Sequence, residues 1–600
     1  MSRNAAQPFW IESDKGALFA WHHPPVDVVR EAAVILCRPF GYDAQCSYRA
    51  YRHLAERLSD AGFHVLRLDY HGTGDSSGGD CDEDRVSTWV NSVRAGMDWV
   101  RSKLGVQRIA LFGLRFGALI AHKASWAGDV DALVLFAPPM SGRAWLREAR
   151  ALQALVGAAG AATRAPPTDG SEECAGFLLT ASTVDALSKL DPLAVEQSAR
   201  AVLVIARDDL PGGEERLVSK LRARGVDVTL SKAPGYGAIM QHDPHRSVVP
   251  DAAWNETTAW LSARYPAAPQ ARSERVSYPR SASVRENEGA PTVREEALDM
   301  GGLFGVLTEP VDDSRAGVLP AIVLHNIGAN SHIGANRMYV AMSRRWAAMG
   351  FRVLRFDTAG LGDSPSNARV SENRVYSGGV TEDSRRAMDF LGRARSTRRF
   401  ILVGLCSGAY VAFHAAVTDD RVAGIVLMNI QLFDWKEGDS VDVRMRDVVK
   451  STSFYSRALV GAETWMRLLR GDVNVNVIVR GLVHKGWERT RHSLARSLRG
   501  PSTVAQAFRS MTKRGTDVLV VCGADDGGRD VIDAHLGTNA LLMQHDPHFR
   551  FEILEGTDHT FSPRWAQEKL LSLLTRHLES HFAEDRVPPA PLVTSIHDVK

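Results

Sequence analysis

Six hundred residues are more than one hydrophobic core organises, so two or more domains are expected. With 72 basic against 70 acidic residues, 44% hydrophobic and 24% charged, the composition is that of an ordinary globular protein, and no charge bias points to nucleic acid or an anionic membrane surface. Six scattered cysteines with no C-x-x-C pair, a polar start at Met1-Ser2-Arg3-Asn4 and no apolar run near membrane-spanning length predict reduced thiols in a cytoplasmic protein. A disulfide frame, a zinc site, a signal segment and a membrane span are not expected.

A diverged internal repeat organises the chain. Phe9-Trp10-Ile11-Glu12 and Leu18-Phe19-Ala20-Trp21 read as a hairpin around Asp14-Lys15-Gly16, and Ala297 to Val306 reads the same way. Two buried strands follow, Ala33-Val34-Ile35-Leu36-Cys37 and Ala321-Ile322-Val323-Leu324-His325, each leading into a glycine-containing loop and a helix. Then residues 63–76 match residues 351–364 without a gap at an offset of 288, sharing Asp-x-x-Gly-x-Gly-Asp-Ser. Each copy continues with a helix, a strand (Arg108-Ile109-Ala110-Leu111-Phe112 or Arg399-Phe400-Ile401-Leu402-Val403) and a glycine-flanked pentapeptide that opens a helix. Strands alternating with helices predict an α/β fold with a doubly wound, mostly parallel sheet in each copy.

The expected domains are 1–265 and 295–582, joined by a linker at 266–294 rich in Ser, Arg, Glu and Pro and followed by a disordered tail at 583–600. Each copy carries an insertion of a size suited to a helical lid, at about 143–198 and 432–514, an ordinary packed helical insertion being the alternative.

The pentapeptide of the second copy is Gly404-Leu405-Cys406-Ser407-Gly408, a strand-to-helix turn of the G-x-S-x-G kind with cysteine at its centre. Nucleophile, acid and histidine are expected in that chain order. After Val518-Leu519-Val520-Val521-Cys522 comes Gly523-Ala524-Asp525-Asp526, which offers Asp526 as the acid with Asp525 as the alternative, and the strand Phe551 to Leu554 leads to His559. His559 is then the base for the Cys406 thiol, Asp526 orients it, and the thiolate attacks a carbonyl. The oxyanion is expected to lie between the backbone N–H of Ser407 and that of Ile327, the latter assigned to within one residue. His325, His332 and His414 have no triad spacing and read as structural or loop residues, with substrate contact as the alternative for His325, which lies near that loop. This chemistry calls for no metal and no organic cofactor.

The first copy lacks the same groups. Its pentapeptide Gly113-Leu114-Arg115-Phe116-Gly117 centres on a guanidinium, its histidine position falls on Ala238, and Pro39 stands opposite Ile327. Asp208-Asp209 survives at the acid position, and Arg115 is expected to pair with Asp209 or to bind a carboxylate or phosphate. Met240 to His245 recurs verbatim as Met543 to His548, in a conflicting register, with no physical account.

On these motifs the chain resembles tandem α/β-hydrolases. Residues from about 295 to 582 are similar to serine-aminopeptidase-like hydrolases, with a cysteine elbow similar to those of dienelactone hydrolase and polyhydroxyalkanoate synthase. Residues from about 8 to 265, through Ala206-Arg207-Asp208-Asp209 and His245 to Pro250, look like the hydrolases of exosortase and exopolysaccharide gene clusters. The resemblance implies a carboxylic ester or thioester hydrolase acting through an acyl-cysteine. The alternatives are an acyltransferase that moves an acyl group from a CoA or carrier-protein thioester to an alcohol or amine, and a non-catalytic scaffold or binding protein. The expected partner is a small acyl ester or thioester, with intrachain contact between the two domains.

Overall fold

The computed structural model describes residues 6–583 apart from 128, 159–168, 195–198, 211, 241–243, 270–275, 313–317, 369, 378, 437–438, 440 and 442–501. Most of the insertion expected at 432–514, the motif residues Gln241 and His242, and the tail at 584–600 therefore lie outside the described residues.

The strand Ala32–Cys37 shows how the first sheet is covered. Ala33, Ile35 and Cys37 enter one apolar cluster, while Ala32, Val34 and Leu36 enter a second. Alternate residues of a strand point to opposite faces, so this sheet is buried on both. The strand Ala321–Leu324 divides in the same way. The first sheet runs in the order Gln7–Ile11, Leu18–His23, His64–Leu68, Ala32–Cys37, Arg108–Leu114, Ala132–Phe136, Ala201–Ile205, Asp227–Ser231. The second runs Ser281–Val284, Val293–Asp299, Phe304–Pro310, Val353–Phe356, Ala321–Leu324, Phe400–Leu405, Val422–Met428, Asp517–Gly523, Phe549–Leu554. In each sheet the N-terminal hairpin is antiparallel and the later strands are parallel. Among the described residues, no helix is long and apolar enough to cross a membrane.

The stretch expected as a linker is structured at both ends. Ala267–Pro269 pairs with Val28–Arg30 of the first half, and Ser281–Val284 adds an edge strand to the second sheet. Its polar sequence is tolerated because an edge strand packs one side at most: of Ser281 to Val284, Val284 alone is buried. Of the second insertion, the helix Thr503–Lys513 is core, with Phe508 buried against Phe413 and Phe433. In the first insertion, the helix Gly142–Ala158 buries Trp145 and Leu146.

The two halves meet through the repeated motif. The Phe19–Trp21 and Phe304 hairpins share one apolar cluster, with the Trp21 and Phe304 rings 4.7 Å apart. Beside it, Arg67 bonds Asp363 at 2.6 Å, and Arg355 bonds Asp75. Three arginines of the second half grip the loop that carries Asp75: Arg337 donates to Gly74 O and Ser76 O, Arg344 to Asp75 O and Ser76 O, and Arg355 to the Asp75 carboxylate. Glu295 balances Arg344 and Arg355.

Candidate active site

Cys406 sits at φ 57° and ψ −114°, outside the regions that ordinary side chains occupy. The turn demands glycine on both flanks. A Cβ on Gly404 would fall 2.0 Å from the Gly408 carbonyl carbon, and one on Gly408 would fall 2.8 Å from the backbone oxygens of His325 and Asn326. The strained turn lifts the half-exposed Cys406 side chain onto the C-terminal end of the sheet, ahead of the helix Ser407–Thr418.

His559 and Asp526 follow the adjacent strands Phe549–Leu554 and Asp517–Gly523, which Val422–Met428 separates from the elbow strand. The Nδ1–H of His559 donates to Asp526 Oδ2 at 2.7 Å. Asp526 is 3% exposed and accepts two further bonds on Oδ1, from Gly528 N at 2.8 Å and from Gln431 Nε2 at 2.7 Å. It thereby caps the helix Gly527–Leu536 while it orients the ring. Asn429 anchors the other side, donating to His559 O at 2.7 Å and accepting from Gly523 N at 2.8 Å. Burial opposes a charge on His559, but the Asp526 carboxylate and the Cys406 sulfur, through charge and hydrogen bonding, raise its pKa well above the ordinary 6.5. Its side chain keeps 28% of its surface open, enough for a reacting group to reach it. Asp525 is half-buried and does not bond His559, so geometry separates the two adjacent acids.

The loop after Ala321–Leu324 is pressed onto this turn. The Ser407 hydroxyl accepts from Gly328 N at 2.9 Å and donates to Asn326 O at 3.4 Å. The side chain of Ser407 therefore holds the loop, and the backbone N–H groups of Ile327 and Ser407 are left without a protein acceptor among the described residues. His325 does not reach a substrate position: it is fully buried on Ser384 and Val403 O, and burial lowers its pKa to about 4. His332 is structural, as expected, bridging Asp357 and Asp75.

Three residues at the site escaped sequence reasoning. Asn429 and Gln431 follow the strand Val422–Met428, at the strand ends where such sites collect, and that position could have flagged them. Tyr376 had no such signal. It is 3% exposed, its hydroxyl has no hydrogen-bond partner of good geometry among the described residues, and it faces the Cys406 sulfur. Burial, then the neighbouring Cys406, raises its pKa well above 10. Its ring stacks on Trp435 at 4.7 Å and meets Tyr410 edge-on at 5.4 Å.

The first half repeats the turn with Arg115 where the second has Cys406. Arg115 holds φ 53° and ψ −118°, nearly the angles of Cys406. The expected Arg115–Asp209 pair does not form. Arg115 bonds Glu148, from the insertion helix, and lies 3.5 Å from Asp43, while Asp209 is taken by Arg207 at 2.6 and 2.8 Å. The guanidinium therefore meets two carboxylates beneath a helix the acid loop does not belong to. Asp208, at the surviving acid position, accepts from Gly235 N at 2.6 Å and Gly237 N at 2.9 Å, on the loop that leads to Ala238. Pro39, at the oxyanion register, has no N–H to offer.

Among the described residues, two groupings offer three possible metal ligands each: His332, Asp357 and Asp363, and Asp517, His577 and His581. The first is already neutralised, since His332 lies between carboxylates that raise its pKa to about 10 against the cost of burial, leaving a cation with no lone pair. In the second, His577 lies 3.3 Å from Asp517 and ties the helix Arg564–Leu578 to the strand Asp517–Gly523.

The described geometry can be set beside known proteins. The family model of serine aminopeptidase, S33, matches residues 32–201, and that of the alpha/beta hydrolase family matches residues 321–569. Both halves have the α/β-hydrolase fold. The serine-aminopeptidase likeness expected of the second half thus falls on the first. Protein ABHD12B of Homo sapiens is 34% identical over 99 residues, 15% of this chain, and the chain spans only 26% of that relative's length. Among solved structures, XC6422 from Xanthomonas campestris, titled a serine hydrolase without lid, is 19% identical over 45% of this chain and 99% of its own, with a TM-score of 0.30. Est1E from Butyrivibrio proteoclasticus is 16% identical over 43% of this chain and 98% of its own, with a TM-score of 0.32. At these values neither structure bears on the chemistry.

Proposed function

We propose that the second half is a cysteine-dependent acyl hydrolase that cleaves a carboxylic ester or thioester through an acyl-Cys406 intermediate. The supporting observation is the meeting of Cys406, on its strained turn, with a His559 ring anchored on buried Asp526. His559 takes the thiol proton, and the thiolate adds to the carbonyl carbon. The oxyanion that forms is received by the N–H groups of Ile327 and Ser407. The intermediate collapses with loss of the alcohol or thiol, which leaves with the proton from His559. Water, deprotonated by His559, then attacks the thioester, and the acid departs as the thiol is restored. A thioester donor suits this nucleophile, because acyl passage from one sulfur to another is nearly isoenergetic. The first half, with Arg115 in an ion-paired plug, takes no part in the covalent steps.

The test is intact mass of the full chain after exposure to a panel of acyl thioesters and activated esters, compared with Cys406→Ala. An adduct that maps to Cys406 and is lost in the variant is expected, with release as free acid. Turnover that survives Cys406→Ala, or the absence of both adduct and turnover across the panel, overturns the reading. Added alcohols or amines that capture the acyl group in preference to water would make the protein an acyltransferase.

A further inference from the structure

The loop from His325 to Gly334 has to present the Ile327 N–H beside the elbow, and one carboxylate organises it. Asp357 accepts from Asn326 Nδ2 at 2.8 Å, from His332 N at 2.6 Å and from His332 Nδ1 at 2.9 Å. Asn326 also receives Thr358 N on Oδ1 at 2.9 Å, and its backbone oxygen accepts from Ser407. Asp357, Asn326 and Ser407 thus form a chain of bonds ending at the candidate oxyanion donors. The far side of the His332 ring is not held by its own domain. His332 Nε2 donates to Asp75 Oδ2 at 2.8 Å, and Asp75 belongs to the first half.

Asp75 is completed by Arg355, and Asp75, Arg355, Asp357 and His332 are all at most 1% exposed. In so dry a setting an imidazolium needs a partner on both nitrogens; taking one away leaves a buried charged donor uncompensated and frees the ring to turn. The first half touches the other catalytic loop as well: Gln567 donates to Gly176 O at 2.8 Å and to Ser562 O at 2.6 Å, joining the hairpin Glu172–Leu179 to the segment that follows His559.

We propose that the first half serves as the positioning domain of the second, with Asp75 a positioning residue that acts through His332 and Asp357 to hold the oxyanion loop in register with Cys406. The assignment rests on the acyl-cysteine reading above. It gives the half that has lost its nucleophile a task in the reaction. The task differs from general stability, because the loop it braces is needed for attack at a carbonyl and not for reaction at a saturated carbon.

Two rates on the full chain separate these roles: acylation of Cys406 by an activated ester, and alkylation of Cys406 by iodoacetamide, which builds no oxyanion. For Asp75→Asn, acylation is expected to slow by about tenfold to a hundredfold with little change in KM, while alkylation stays at the wild-type rate. His332→Gln, probing the same bond from the other side, is expected to show the same split, and is the variant to read if Asp75→Asn has no cooperative thermal transition. Equal rates of acylation in wild type and variants overturn the proposal, as does a proportional loss of both reactions. If the wild type forms no acyl adduct while still alkylating at Cys406, the functional reading itself has failed and this proposal falls with it.

Discussion

Arg67 on one half reaches Asp363 on the other at 2.6 Å, and the same residue types 288 positions away, Arg355 and Asp75, make the reverse contact. The Asp363 side chain is 1% exposed, with Tyr48 as its second side-chain donor across the interface. Breaking a buried ion pair from one side leaves the other charge uncompensated, a cost of about 3 to 5 kcal/mol. Arg67→Met is therefore expected to lower the unfolding free energy by that amount in denaturant titration. A change below about 1 kcal/mol would mean that water or another donor already serves Asp363.

The two adjacent acids of the second half should separate by activity. Asp526→Asn keeps the helix cap but cannot hold the His559 tautomer, so kcat/KM is expected to fall by about three to four orders of magnitude. Asp525→Asn is expected to stay within a few-fold of wild type. Ester hydrolysis kinetics on both variants decide this, and comparable losses would return the assignment to Asp525.

Tyr376→Phe removes one hydroxyl and leaves its stack on Trp435 intact. Among the described residues the hydroxyl has no hydrogen-bond partner of good geometry, so the fold should be as stable without it. A single neutral hydrogen bond is worth about 0.5 to 1.5 kcal/mol, which predicts a loss of about two- to tenfold in kcat. Unchanged kcat beside unchanged stability would leave Tyr376 as a packing residue.

His332 makes stability depend on alkaline pH. Its folded pKa is raised from 6.5 to about 10 by Asp75 and Asp357, with Asp363 close by and Arg355 on the far side of Asp75. A raised pKa contributes stability that is fully present below the unfolded value and is lost as pH climbs through the folded one. Stability should therefore decline between pH 6.5 and about 10, more steeply in wild type than in His332→Gln. Parallel curves for the two proteins in denaturant titrations across that range would refute the linkage.

Arg115→Cys is expected to be catalytically silent. The turn would carry a thiol again, but Pro39 offers no N–H and Ala238 no base. The substitution also takes one of two nearby guanidinium groups from Glu148, which keeps Arg207 at 3.6 Å, and removes the ion-pair partner of Asp43, so a lower melting temperature is expected from calorimetry. Formation of an acyl adduct at residue 115 would show that the first half kept more of a site than its residues suggest.

Much of this was legible in the residues. Short apolar runs between glycine turns marked the parallel strands, and the order expected on the fold pointed to Asp526 and His559, which the structure brings together at 2.7 Å. What was not legible depended on contacts between distant segments. Asp-x-x-Gly-x-Gly-Asp-Ser read as a local loop, and nothing in one copy announced that its last aspartate would serve the other. The partners of Arg115 come from an insertion helix and from the helix after Pro39, neither adjacent in sequence. Ser281–Val284 hid as a strand because an edge position asks for little apolar character. Tyr376 lies in an irregular segment where no periodicity marks an inward side chain.

The reciprocal pairing of Arg67 with Asp363 and of Arg355 with Asp75 has a further consequence. Contacts in which two partners exchange the same residue types are isologous, the arrangement of a two-fold dimer, although His332 and Tyr48 differ between the halves. Either half on its own would expose an edge complementary to a second copy of itself, with Arg355 and Asp363 of one molecule meeting Asp363 and Arg355 of another. Covalent fusion saturates that edge within one polypeptide. It also lets the two sides differ, so that Arg115 can stand at the elbow of one half and Cys406 at the elbow of the other.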